Sequence, residues 1–441
     1  MLDKLKQIYL FLPTSVSKLI VKSLNLNPYS SCKIWNEMRE IDKNFSNIEL
    51  AKKNLKNLKT IMKKNLFYSK NKKYEEFEKL EELPFIDSDI LRKEFEYIIN
   101  KKEKGYYTST GGTGRNPSKL YLANNSYTKD IAHVLWNWNK LGYEKNEKKL
   151  TLRGTNLNKK LFKYNPIYNE LQINIFLMNS DNIDIILSEI ERFKPTFGHG
   201  YPSAFVRLGI LLKDKKKDFQ LKAISLVSEG FNEEQRKIIE KTFNCIARSF
   251  YGHSERAGFA SEKLKEKGNY EVALTYGIIE IINKDNKVAA IGEEGEIVCT
   301  GFINAGMPLV RYKTGDYATV NKIQGGYITE IKNIKGRWGK DYVYDVDNNL
   351  IPTTAINIHS KIQYEFKYIQ LYQEIKGEIE IRLVPWDNKN LNDQKIEKLK
   401  KEFQDKLKKI KIEIKIIQEK EIYKSNRGKV PYLISAIEEE K

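Results

Sequence analysis

Cysteine and histidine are scarce in this 441-residue sequence. Its three Cys (Cys32, Cys245, Cys299) stand far apart without a CxxC, and its four His (His133, His199, His253, His359) do not cluster with them. Such spacing offers neither a disulfide framework nor a local zinc site, and a reducing compartment fits it best. A long apolar run is also missing. The most apolar early stretch, residues 8–26, is interrupted by Pro13, Lys18 and Lys22, so it reads neither as a spanning helix nor as a secretory leader. The expectation is a cytoplasmic chain. Its early segment should pack on its own scaffold, with at most a peripheral membrane contact through Leu10, Phe11, Leu19, Ile20 and Leu24. Internal repeats and low-complexity linkers are absent.

Arginine is scarce relative to lysine. Of 77 basic residues 13 are Arg and 64 are Lys, set against 58 acidic residues for a net charge of +19. A basic face gains affinity for nucleic acid by displacing counterions from phosphates. These lysines, however, are scattered along the whole chain among Asn, Ile and Tyr, as solvated surface rather than a patch, so no specific nucleic-acid partner is expected.

What is present is a globular composition, 40% hydrophobic and 11% aromatic with 26 Tyr and 19 Phe, in a length that suggests two or three domains. Residues 47–100 read as helices, with Leu50, Leu55, Leu58 and Ile61 spaced by three to five. From about Tyr106 to Gly336, β-rich runs such as 276–282 and 295–301 alternate with helical stretches and Gly-rich turns, a mixed α/β body. Residues 232–242 form a helix candidate with Phe231 and Ile238 facing a core. The last hundred residues read as strand, helix, strand: Ile379, Ile381 and Leu383 alternate with charges, Ile396, Leu399, Phe403 and Leu407 keep helical spacing, and Ile410, Ile412, Ile414 and Ile416 alternate again. The Gly-rich turn at Gly336 is the natural boundary. The expected organisation is a helical region over 1–100 packed on the body, an α/β body over 101–336 and a small C-terminal unit over 337–441.

Five stretches carry chemistry. In Ser109-Thr110-Gly111-Gly112-Thr113-Gly114-Arg115-Asn116-Pro117, glycines and hydroxyls permit a tight loop whose N–H groups converge on an anion, although a glycine-rich hairpin turn would read the same way. The stretch does not match the GxxxxGK[ST] phosphate loop. In Tyr251-Gly252-His253-Ser254-Glu255, a Glu beside a Gly turn at a strand end suits Mg²⁺ and phosphate, and the aromatic suits a base. In Arg311-Tyr312-Lys313-Thr314-Gly315-Asp316, the Asp at a rigid turn can accept two hydrogen bonds from a ribose diol, or simply cap the turn. Gly336-Arg337 and Arg427-Gly428-Lys429 complete the series.

In this order and spacing, the five stretches resemble the adenylate-forming superfamily, and most closely its phenylacetate-CoA ligase and CapK-like branch. The resemblance extends through Leu83-Pro84, Lys194-Pro195, Gly200-Tyr201-Pro202-Ser203, Ser228-Glu229-Gly230, Met307-Pro308 and the pair Gln370 and Gln373. It implies a large adenylation body of several subdomains with a small mobile C-terminal α+β domain. It also implies ATP-dependent activation of a carboxylic acid as an acyl-adenylate, with pyrophosphate released. Thr110, Gly111, Gly112, Thr113 and Gly114 would hold the β- and γ-phosphates. Ser228, Glu229, Gly230, Tyr251 and Gly252 would frame the adenine, Glu255 would bind Mg²⁺ and Asp316 the ribose. Lys429 would neutralise charge between the carboxylate, the α-phosphate and the bridging oxygen, and Arg337 would lie close to the ribose and phosphate as a second catalytic residue, with Glu255 as the third. The acid, small or medium in size, would meet His199, Gly200, Tyr201, Ser203 and residues 257–259. Coenzyme A is the default acceptor, and an amine or sugar is the alternative in surface-polysaccharide synthesis; this branch often forms homodimers. Departures stand at Gly114-Arg115 in the loop and at Trp338-Gly339-Lys340-Asp341 after the hinge, and the Cys and His that ligate zinc in some relatives are missing from residues 260–271, so no zinc is expected. The competing reading is a silent relative with a basic surface for nucleic acid or membrane.

Overall fold

The computed structural model describes residues 27–423 and 432–437, apart from residues 71, 75–76, 110–117, 156, 158–159, 218, 230–232, 337–341, 354–355, 357, 359–361, 363–365 and 386–391. Thr110, Gly111, Gly112, Thr113, Gly114, Gly230, Phe231, Arg337, Asp341 and Lys429 therefore lie outside the described residues, as does the early stretch 8–26.

Helices open the chain. Asn47 accepts from the Leu50 N–H at 3.1 Å and starts the helix Ile48–Lys63, whose buried stripe is Ala51, Leu58 and Met62. The helix expected from the spacing of Leu50, Leu55, Leu58 and Ile61 is there, and of these Leu58 is buried. Asp87 caps Ser88–Lys93 in the same way. A hairpin follows, of β1 (Gly105–Ser109) and β2 (Lys119–Ala123), antiparallel with Ser109 opposite Lys119.

The main sheet has twelve strands in two halves. One half contains β3 (Lys149–Leu152), β4 (Phe162–Asn165), β5 (Glu170–Ile173), β6 (Phe197–Gly200), β7 (Ala223–Leu226) and β8 (Ile246–Gly252). Its strands β5, β3, β6, β7 and β8 are neighbours in that order and parallel, and β4 closes the edge antiparallel. Crossover helices Ile183–Phe193, Pro202–Asp214 and Glu233–Thr242 link the later strands. The first ends where Lys194 turns to φ 53° before Pro195, and the second starts with Pro202 in its first turn. In the third, Ile239 is buried and Ile238 is exposed, which corrects the core assignment of Ile238: 3.6-residue geometry turns the neighbouring position inward.

The second half is antiparallel, with β9 (Phe259–Glu262), β10 (Asn269–Val272), β11 (Gly277–Ile282), β12 (Glu294–Gly301), β13 (Tyr312–Gln324) and β14 (Tyr327–Lys335). Strand β8 serves both halves: Ile246, Ala247, Arg248 and Ser249 pair with β7, whereas Phe250, Tyr251 and Gly252 pair with β9. From β8 the order runs β9, β10, β14, β13, β12, β11. The far edge curls back on the start: an added Cβ at Gly277 on β11 would lie 2.3 Å from the Ala257 carbonyl oxygen, between β8 and β9. Only glycine permits that approach.

After β14 come the small hairpin β15 (Tyr342–Tyr344) and β16 (Leu350–Pro352), then β17 (Phe366–Gln373), β18 (Glu378–Pro385), β19 (Lys411–Ile416) and β20 (Leu433–Ser435). The last four form a sheet in the order β19, β18, β17, β20. The helix Asp393–Lys406, capped by Asn392, crosses from β18 to its parallel neighbour β19 and buries Leu399 and Phe403. No described helix is long and apolar enough to cross a membrane.

Arg311 fastens the early helical region to the antiparallel half. It sits at φ 49°, buried, with Nε and Nη2 on the Glu280 carboxylate at 3.1 and 3.0 Å and Nη1 on the carbonyls of Glu81 and Leu83 at 2.9 and 2.7 Å. Arg311→Met should cost about 3–5 kcal/mol in urea unfolding, because it leaves the buried Glu280 carboxyl and the carbonyls of Glu81 and Leu83 without their partner. Arg311→Met with Glu280→Leu should lose less than the single variant.

Candidate active site

Strands β6, β7 and β8 are parallel and end on one edge of the sheet, the edge at which open α/β sheets take ligands. The chain leaving each strand carries residues expected at the site.

At the end of β6, His199 is buried, its Nδ1 3.2 Å from the Ser225 carbonyl and its ring 4.9 Å from Trp138. A carbonyl only accepts, so Nδ1 carries the proton. Burial, with the positive charges of Arg153 and Lys149, holds the imidazole well below its ordinary range and therefore neutral. Gly200 follows at φ 156°, where an added Cβ would lie 2.0 Å from the Leu152 carbonyl oxygen. That approach lets Tyr201 N–H reach Leu152 O at 2.8 Å and Val227 N–H reach Gly200 O at 3.0 Å. Tyr201 is buried, and Ser203, in the first turn of the next helix, donates its N–H to Glu229 Oε2 at 3.2 Å. Glu229 thus joins the exit of β7 to that helix N-terminus, a favourable place for a carboxylate. Ser228 beside it is exposed and left-handed, at φ 68°.

At the end of β8 two carboxylates are fixed reciprocally. Tyr251, beside Gly252, donates its hydroxyl to Asp316 Oδ2 at 3.0 Å, and Tyr312, close to Asp316 in sequence, donates its own to Glu255 Oε1 at 2.8 Å. His253 Nδ1 lies 3.2 Å from the second Glu255 oxygen. Both carboxylates are buried. Burial, and after it the Asp316 charge, pushes the Tyr251 phenol well above its ordinary range, so it remains a protonated donor. Behind Asp316, Gly315 takes φ 78° and Thr314 Oγ1 accepts the Asp316 N–H at 3.1 Å.

The next residue, Arg256, reaches Ser126 Oγ at 3.0 Å and Asp130 at 3.3 Å, and Tyr276 OH holds the other Asp130 oxygen at 2.9 Å. Ser126 and Asp130 belong to the helix Asn124–Lys140, which leaves β2 directly. The turn after β8 is thereby tied to the hairpin whose connection is the Gly-rich stretch 110–117. That stretch, which connects these two antiparallel strands, lies itself outside the described residues.

Residues 257–259, expected beside the acid, lead from the turn after β8 into β9. Ala257 and Phe259 are buried, with the Phe259 ring 5.1 Å from Phe250 and 5.5 Å from Tyr276 in an aromatic core. Spacing alone did not assign Tyr312, although it lies inside a stretch already singled out; Asp130 and Tyr276 carry no sequence signal. No group of three or more His, Cys, Asp or Glu among the described residues could hold a metal. Glu255 offers one oriented carboxylate, which suits an ion that arrives with phosphate oxygens and water rather than one caged by protein.

No protein-family model matches the chain. In sequence it is similar to Protein CapK of Staphylococcus aureus, 26% identical over 298 residues, covering 65% of this chain and 64% of CapK, so the match spans less than two thirds of that protein's length. In structure it is similar to 2-hydroxyisobutyryl-CoA ligase. Against that enzyme with 2-HIB-AMP and CoA in the thioesterification state, the TM-score is 0.54 at 13% identity, covering 89% of this chain and 91% of that one. Against its postadenylation state with 2-HIB-AMP, the TM-score is 0.51 at 13% identity, covering 88% and 90%. The chain shares the fold of that ligase.

The buried histidines make stability pH-dependent. Burial holds His133, between the Lys129 carbonyl at 2.8 Å and Thr275 Oγ1 at 2.9 Å, down to about 4 from 6.5. Between those values the unfolded chain binds the extra proton, so this contribution is complete above pH 6.5 and is lost as pH falls toward 4. At pH 5 the loss from His133 should be about 2 kcal/mol. Urea unfolding at pH 7.5 and pH 5 should show a smaller difference for His133→Gln than for the parent.

Proposed function

We propose that this chain activates a small carboxylic acid with ATP, forming an acyl-adenylate and releasing pyrophosphate, and then passes the acyl group to coenzyme A, an amine or a sugar. The observation that carries the reading is the reciprocal tyrosine–carboxylate exchange, which fixes Glu255 and Asp316 where β6, β7 and β8 end, in a fold of this class.

In the first step a carboxylate oxygen bonds to the α-phosphorus of ATP while the bond from that phosphorus to the bridging oxygen of the β-phosphate breaks. Both reactants are anionic, so the rate depends on positioning and charge neutralisation. Asp316, oriented by Tyr251, accepts from the ribose hydroxyls. Glu255, oriented by Tyr312 and His253, takes a Mg²⁺ that arrives with the phosphates. Residues 110–114 bind the outer phosphates, while Ser228, Glu229 and Gly230 border the base. His199, Gly200, Tyr201 and Ser203 stand beside the acid, and the neutral imidazole of His199 adds no charge there. Arg337 and Lys429 bring positive charge to the α-phosphate from the C-terminal unit, residues 337–441, which swings about the connection after Gly336 between the two half-reactions. The CoA held by the structurally similar ligase supports the first of these acceptors, coenzyme A.

The test is acid-dependent exchange of labelled pyrophosphate into ATP across a panel of acetate, hydroxy, aryl and amino acids, with palmitate as the long-chain control. A short acid should support exchange, and Lys429→Ala should reduce it by about 10²–10³. Asp316→Ala should raise KM for ATP while leaving KM for the acid nearly unchanged. No exchange with any acid, combined with salt-sensitive binding to DNA or anionic vesicles, would replace this reading with that of a silent relative.

A further inference from the structure

We infer that the far wall of the acid subsite is cationic and that the acid taken there is a short dicarboxylic acid, its second carboxylate held by Arg153 with Lys163 behind it. This rests on the adenylation reading and names the substrate class of the same site.

The sheet sets these residues out. Lys163 on β4, Gln172 on β5, Thr151 on β3, His199 on β6 and Ser225 on β7 are successive register partners, so they form one row across the sheet. Partners in a row share a face, and Lys163 therefore faces the same side as His199, three strand spacings or about 14 Å away. Arg153 follows β3 two residues beyond Thr151, the interval that returns a side chain to the same face. Tyr201 N–H bonds to the carbonyl of Leu152 at 2.8 Å, which places Arg153 beside Tyr201. The Arg153 side chain bonds to that of Tyr201, and its charge reaches His199.

From the end of β8, where Glu255 and Asp316 are fixed, the neighbours along this edge are β7, β6 and then β3. A cation on β3 thus stands past the residues assigned to the acid, on the side away from those carboxylates. An acid whose reacting carboxylate points toward β8 presents its other end to Arg153. One strand spacing, about 4.8 Å, separates β6 from β3, a reach that a short dicarboxylic acid spans.

The protein leaves these charges unneutralised. Arg153 and Lys160 are exposed, and among the described residues no carboxylate lies within ion-pair distance of either, or of Lys163. Exposed lysines elsewhere are paired, Lys215 with Asp184 and Lys217 with Glu191. The acidic residue on the same face of β5, Glu170, is already committed: it accepts from Thr151 Oγ1 at 2.7 Å, Gln172 Nε2 at 2.7 Å and Asn165 Nδ2 at 3.1 Å. Lys160 stands just before β4, its carbonyl accepting from Asn174 Nδ2 at 3.0 Å. Burial, and after it the Lys160 charge, lowers the Lys163 amine. Like charges held close without an anion between them repel, and a bound carboxylate relieves that repulsion. Arginine suits the foremost position because its planar fork matches a carboxylate bidentately.

The experiment measures pyrophosphate exchange by the full chain with succinate, with succinamate, whose far end is uncharged, and with butyrate, for the parent, Arg153→Gln and Lys163→Gln. In the parent, kcat/KM for succinate should exceed that for either monoacid by about 10–100-fold. Arg153→Gln should lower the succinate value by about that factor, mainly through KM, and bring the three acids within about threefold of one another. Lys163→Gln should weaken the preference in the same direction by a smaller factor. KM for ATP and for coenzyme A should stay within about twofold in both variants. A parent that uses succinate no better than butyrate overturns the inference, as does an Arg153→Gln variant that keeps the preference. So does a variant whose main change is in KM for coenzyme A, which gives the cations to the phosphates of the acceptor. A parent with no exchange toward any acid sinks the adenylation reading. Calorimetric titration of succinate then decides the anion site separately: saturable binding that Arg153→Gln loses supports it, and no binding to the parent overturns it.

Discussion

Two buried carboxylates set the terms for the rest of this structure. Glu255 and Asp316 lie where a charge without hydrogen bonds would be severely unfavourable, and each is satisfied in part by a tyrosine from the other's segment. Those segments belong to strands that are not sheet neighbours: β9, β10 and β14 separate β8 from β13. The exchange therefore requires the antiparallel half to curl until the start of β13 meets the end of β8. The glycine contact at 277 is where backbone yields to that curl. The site and the curvature of the sheet are one constraint seen at two scales.

A second polar layer lies between the helix Asn124–Lys140 and the parallel strands. Asn137 bridges Ser225 on β7 and Ser261 on β9, at 3.3 and 2.6 Å, and His133 reaches Thr275. Lys149 on β3 is fully buried beneath Tyr29, its Nζ 4.4 Å from the ring centre and bonded to the Tyr168 carbonyl. Burial lowers its amine to about 8, against the pull of Glu170 and Glu147. With Phe45 stacked on Trp136 at 3.7 Å, these contacts tie the first helices to the body. The same helix carries Asp130, the partner of Arg256, so the polar layer reaches the candidate site without a break.

Periodicity made the strands and helices legible, and it failed where a single position decided the answer. Alternation at Ile379, Ile381 and Leu383 and the spacing of Leu399, Phe403 and Leu407 led directly to β18 and its crossover helix, because both patterns are buried on one side. Ile238 was misread by one residue, which on a helix is a rotation of about 100°. For the site, sequence order brought out Glu255, Asp316, Tyr251 and the turn at Gly200, since each stands beside a glycine or strand end. Tyr312 as a partner of Glu255, Asp130 as a partner of Arg256, and the interior position of Phe259 depend on the curl of the sheet, which pairs residues remote in sequence and leaves no local pattern.

The net charge of +19 has a physical place once the site is separated from the surface. Exposed lysines pair locally across the whole molecule: Lys43 with Glu40, Lys52 with Glu49, Lys215 with Asp184, Lys217 with Glu191 and Lys409 with Asp347. Such pairs contribute little to stability. At the edge of β6, β7 and β8 the described charges differ in kind: Glu229, Glu255 and Asp316 each hold a directed bond, and Arg256 is turned onto Asp130. With a screening length of about 8 Å at physiological ionic strength, the diffuse excess attracts a polyanion to the surface but cannot orient it. On the proposed reading, encounter is left to the scattered lysines. Orientation falls to the two carboxylates, and neutralisation at the α-phosphate is the part assigned to Arg337 and Lys429.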